Sequence, residues 1–171
     1  MYRRFGIITA TLVLALALPL AAAAAQQAPR NFVAPLSGDQ EVEPVDTNAT
    51  GVAHFQLSRT GDGLSFRLNV ANIAAPTMAH IHLDNPSGPV VAWLHPAGPP
   101  PDPDPPARFN GTLATGTLTG ADLVGPLAGE ALADLVDEIL AGNAFVNVHT
   151  AAHPGGEIAG QISRPRGHIG R

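Results

Sequence analysis

The sequence predicts an all-β fold: an antiparallel, Greek-key-like β-sandwich or barrel of about seven or eight strands, with one short helix over about residues 130–141. Three observations predict it. Several short stretches alternate apolar and polar residues with period two, the mark of strands with one face buried and one wet. Turns rich in Gly, Pro, Asp and Asn separate them. Only one stretch has its apolar residues at helical spacing. At 171 residues the chain has a one-domain length and can bury a single core.

The elements follow in order. Residues 1–25 read as a signal peptide: Arg3 and Arg4 form a positive start, Phe5 to Leu20 is almost wholly apolar, and Ala21 to Ala25 supplies a small-residue cleavage site. Cleavage is expected near Ala25–Gln26. An uncleaved anchor is the alternative, since roughly 20 apolar residues can span a bilayer. Pro19 and the alanine run favour cleavage. The pair Arg3–Arg4 alone says little about a twin-arginine route. The expectation is therefore an exported protein, periplasmic, secreted or at the cell surface, touching a membrane only if the N-terminal segment stays attached. Residues 26–30 read as a linker, 31–163 as the domain and 164–171 as a disordered tail.

Within the domain, Phe32, Ala34 and Leu36 alternate in a first strand over residues 31–37, followed by an acidic, turn-rich stretch over 38–48. In residues 50–58, Ala53, Phe55 and Leu57 share a face opposite His54 and Gln56. In residues 64–71, Leu64, Phe66, Leu68 and Val70 oppose Ser65, Arg67 and Asn69. The glycine-containing loop 59–63 makes these two a hairpin. Residues 78–83 and 89–95 form the next pair around the turn 84–88. Six prolines between Ala97 and Ala107 exclude a central strand and predict a surface loop of polyproline character. Residues 109–119 return to strand. Leu132, Leu135, Val136, Ile139 and Leu140 then recur at helical spacing, with Gly142 placed to stop the helix. Residues 144–150 and 157–163 form a last pair around His153-Pro-Gly-Gly156.

Composition excludes several function classes. There is no cysteine, so neither disulfides nor thiol chemistry is available even in an oxidising compartment. There is no lysine either. Without Arg3 and Arg4, seven arginines face 14 acidic residues, giving a mature charge of about −7. An acidic chain without a basic stripe does not attract phosphate backbones, and nucleic acid is excluded as a partner. No serine lies in a nucleophile-elbow context, and no phosphate-binding glycine loop precedes the helix. Asp134, Asp137 and Glu138 read as the helix's solvated side, and the sequons at Asn48 and Asn110 matter only in a host that glycosylates proteins.

The histidines stand out, with seven against one Trp and one Tyr. His80 and His82 lie two apart on a strand, which puts both rings on one face while Ile81 and Leu83 take the other. Such a pair can hold one metal ion if a third donor approaches from a neighbouring strand, and His149 is the candidate. A thiol-free imidazole set suits copper first and zinc second. His153 and His95 are weaker candidates; His54 and His168 read as solvated. Glu157 is a candidate to orient a ligand histidine through its second nitrogen, against a reading in which it satisfies backbone amides or pairs with an arginine such as Arg67. Asn147 shares a face with Phe145 and His149 and lines the same region. In the competing reading, His80, His82 and His149 are polar residues on a wet sheet face.

Several blocks resemble those of CHRD domains, the type repeated in chordin: Leu36-Ser-Gly-Asp-Gln-Glu-Val42, Gly51-Val-Ala-His-Phe55, Ala79-His-Ile-His82, Phe145-Val-Asn-Val-His-Thr150 and Pro154-Gly-Gly-Glu-Ile-Ala-Gly-Gln-Ile162. The resemblance runs from about Phe32 to Ile162 and implies a β-sandwich in an exported, single-domain bacterial protein. It leaves the activity open. A second, fold-level resemblance is to the Cu,Zn superoxide dismutases, where a His-x-His on one strand and a His near the end of a late strand bind copper. The chain departs from those enzymes in lacking cysteines and a His-rich zinc loop; its proline loop carries Asp102 and Asp104 but no His. Three readings follow: an exported metal-binding protein, a metal-free extracellular module that binds another protein, and a dismutase-like redox enzyme. No catalytic residue is assigned.

Overall fold

The computed structural model describes residues 29–165. The expected signal peptide and most of the expected tail lie outside the described residues. Eight strands and one helix run in the order β1 (Asn31–Ser37), β2 (Thr50–Leu57), β3 (Leu64–Ile73), β4 (Pro76–Leu83), β5 (Val90–His95), β6 (Phe109–Leu118), α1 (Leu132–Ala141), β7 (Ala144–Thr150) and β8 (Ile158–Gln161). All lie in one sheet in the order β5-β4-β7-β8-β1-β2-β3-β6, and every pairing is antiparallel. The end strands β5 and β6 approach one another, so the sheet is a nearly closed barrel.

The period-two strands behave as their sequences dictate. On β2, Ala53 and Phe55 are buried while His54 and Gln56 are exposed; on β3, Leu64, Phe66, Leu68 and Val70 fill the interior. Helix α1 covers the core with Leu132, Leu135, Val136 and Ile139. Its start is fixed by Asp134, whose Oδ2 accepts the Ala131 N–H at 3.0 Å, so this exposed carboxylate also caps the helix. Its end is fixed by Gly142, whose φ of 82° is a left-handed cap that favours glycine. The proline-rich loop is surface structure as expected, tied to β4 where the Asp102 N–H donates to the Thr77 carbonyl at 2.8 Å.

Strand β4 breaks the half-wet pattern: every residue from Ala79 to Leu83 is buried. Its inner face packs in the barrel with Ile81, while its outer face is roofed by loops. The turn over residues 84–88 lays the Gly88 carbonyl against His82 of that face, and the turn over 151–156 lays the Pro154 carbonyl against His149 on the adjoining β7. The segment following β1 brings the Glu41 carboxylate to Asn147, also on β7. The reading of His80, His82 and His149 as residues of a wet face is thereby overturned; their exposures are 4, 5 and 5 %.

Candidate metal centre

Strand register brings the three histidines together. β4 and β7 pair so that His80 lies opposite Asn147 and Met78 opposite His149, and the two-residue period puts His82 on the same side as His80. The ring centroids of His80 and His82 are 5.5 Å apart, those of His80 and His149 5.0 Å, and those of His82 and His149 5.7 Å. One ring nitrogen of each lies within 4.8 Å of the others, so the group can hold a metal ion. His80 Nδ1 faces His149 Nε2 at 3.2 Å. Trp93, half-buried on β5, stands edge-on to His80 with centroids 4.2 Å apart.

Backbone carbonyls fix two of the tautomers. A carbonyl oxygen only accepts, so His82 Nδ1 donates to Gly88 O at 2.7 Å and His149 Nδ1 donates to Pro154 O at 3.0 Å. Both rings therefore present a bare Nε2 lone pair to the cluster, the form a metal takes. His82 Nε2 and His80 Nε2 are buried and find no hydrogen-bond partner. Unpaired nitrogens in a dry site are costly, and a bound electrophile would satisfy them. Burial holds all three imidazoles neutral. The pKa of His80 is pushed down to about 3 by desolvation, helped by repulsion from His149 and His82. That of His149 is pushed down to about 4 by desolvation and His82, against the pull of the Pro154 carbonyl. Desolvation lowers His82 as well, opposed by its bond to Gly88.

The remaining sequence candidates fall elsewhere. His95, half-buried, lies on the proline-loop side with Nε2 at 3.8 Å from Asp102 Oδ2, outside the three-histidine group. His153 contributes its backbone to the 151–156 turn, donating its N–H to Thr150 Oγ1 at 3.1 Å, and its ring is not in the group. Glu157 is buried but pairs neither with Arg67 nor with a ring nitrogen. Its two carboxylate oxygens accept the hydroxyls of Thr47 and Thr150, each at 2.7 Å, while Arg67 reaches Thr112. Asn147 is fully buried beside the cluster and donates from Nδ2 to Pro86 O and to Glu41 Oε2. Glu41 is the residue that sequence reasoning missed: it lies in an acidic, turn-rich stretch, yet is 7 % exposed.

Comparison with known proteins agrees with the sequence blocks. No curated protein matches the chain. The CHRD domain matches over residues 32–162, from the first strand to just past the last. The chain belongs to the CHRD domain family.

Proposed function

We propose that this CHRD protein is exported and holds one metal ion outside the cytoplasm on His80, His82 and His149, copper in preference to zinc, for storage, delivery or buffering. The observation that carries the reading is the trio itself: three buried neutral imidazoles, two of them locked by backbone carbonyls with Nε2 bare and directed at the cluster. Three nitrogen donors without a thiol suit copper or zinc, and the Irving–Williams order places copper first. Asn147 lies beside the cluster, and the Gly88 and Pro154 carbonyls orient two of the ligands from outside it. Residues 1–25 supply the expected route of export.

The chain's single tryptophan gives the test its readout, because Trp93 stands against His80. Titration of the purified protein with Cu(II), Cu(I) or Zn(II) is expected to quench or shift Trp93 fluorescence at one equivalent. The Cu(II) form is expected to give a nitrogen-rich paramagnetic resonance signal. His82→Ala is expected to weaken binding by at least about 100-fold with the fold intact by circular dichroism. Equal affinity in wild type and His82→Ala would overturn the metal reading.

Membership of the CHRD family supports a second reading, an extracellular module that binds another protein. Such a module ordinarily presents an apolar patch of a few hundred Å². Among the described residues Val42, at 54 % exposure, is the exposed large hydrophobic side chain. Trp93 is turned against His80, which leaves the metal reading ahead.

A further inference from the structure

Asn147 Nδ2 donates to Pro86 O at 3.0 Å and to Glu41 Oε2 at 3.2 Å. The bond to Pro86 fixes which way the amide points, because a carbonyl needs a donor. Asn147 Oδ1 is then left buried without a partner, and so is Glu41 Oε1. The two orphaned oxygens border one place: an atom at the position of a Cβ on Gly156 would lie close to the whole Asn147 amide, 2.6 Å from its Oδ1, and 2.7 Å from Glu41 Oε1. Two bare acceptors buried beside one point are unfavourable, and a single proton shared between them satisfies both.

We infer that Glu41 is a neutral carboxylic acid in the folded protein, its Oε1–H donating to Asn147 Oδ1 while Oε2 accepts from Nδ2, so that a cyclic acid–amide pair latches the segment after β1 onto β7. The inference rests on the Glu41–Asn147 contact and is independent of the metal reading. Burial acts in the same direction, pushing the Glu41 pKa up to about 7 against the pull of the Asn147 bond. The surrounding titratable groups do not hold it ionised. Glu43 on its own segment and His153 on the facing turn line the same pocket, of about 370 Å³. Glu157, at the end of that turn, has its carboxylate taken by Thr47 and Thr150. His149 on β7 directs Nδ1 to Pro154 O. Among the described residues no arginine stands within ion-pair distance of Glu41.

Glu41→Gln is the permanent form of this pair, since an amide N–H replaces the acid O–H and the second hydrogen bond is kept. The Gln variant is expected to match the wild type in Tm at pH 4 and to exceed it by about 10 °C at pH 8.5, where the wild-type latch has lost its proton. A carboxyl ¹³C titration of the wild-type protein is expected to show Glu41 with a midpoint near 7, and infrared spectra at pH 6 a buried carboxylic-acid C=O band that Glu41→Gln removes. A Glu41 midpoint at or below the ordinary value of 4.5 would overturn the inference. A Gln variant less stable than the wild type at both pH values would also overturn it, showing an ionised carboxylate held by a cation or by water.

Discussion

At the scale of single residues, the candidate centre depends on small polar commitments that surround the rings. Gly156 has φ of 128°, and a Cβ there would press on the Asn147 amide and the Glu41 carboxylate. Gly156→Ala is expected to cost about 2–4 kcal/mol in denaturant unfolding, more than a surface glycine, because strain adds to the clash. Glu157→Ala is expected to cost about 1–3 kcal/mol by stranding the Thr47 and Thr150 hydroxyls, also read from denaturant midpoints. The imidazoles carry a different prediction. All three are held neutral by burial, so metal uptake at pH 7 is expected to release almost no protons when measured calorimetrically in buffers of different ionisation enthalpy. The gathering of the three histidines was legible in the sequence because two-residue spacing on a strand settles which side a ring takes. Glu41 was not legible. Nothing in an acidic, turn-rich stretch shows that one carboxylate folds under the loop and meets an amide 106 residues away.

At the scale of elements, alternation revealed β2 and β3 almost to the residue, since each has one face in the barrel and one in water. Strand β4 followed a different rule. Its composition, His-Ile-His-Leu, reads as half-wet by alternation, and only the loops packed over it make both faces dry. Coverage by loops depends on tertiary placement and leaves no periodic trace in the strand itself. The helix was legible in both its apolar stripe and its glycine stop, and it supplies a control for the metal experiments. Leu135 is fully buried on α1, outside the histidine group, so Leu135→Ala is expected to cost about 2–5 kcal/mol in stability while leaving metal affinity unchanged. A loss of affinity in parallel with stability would mean that the histidine geometry is coupled to the whole core rather than set by β4, β7 and their turns.

At the scale of the whole molecule, two sets of buried groups give opposite pH dependences. The histidines have folded pKa values below the ordinary 6.5, so their contribution is complete above pH 6.5 and is lost as pH falls toward about 4, where the unfolded chain takes up protons that the folded chain refuses. Glu41 has a folded pKa above its ordinary 4.5, so its contribution is complete below 4.5 and is lost as pH rises through about 7. Three imidazoles outnumber one carboxyl, and the Tm of the metal-free protein is expected to fall on acidification below about pH 6.5 and to decline slightly from 6.5 to 7.5, as a calorimetric pH series would show. The barrel also has a property that follows from where the histidines sit in the chain. His80 and His149 are 69 positions apart, and the proline loop, β5, β6 and the helix all lie between them. An ion bridging the two would close that long loop much as a disulfide does in many small domains, in a chain that has no cysteine to do it. Such a staple is broken by a chelator and is indifferent to a reductant, so the rigidity of this protein would follow the metal content of its surroundings and not their redox state.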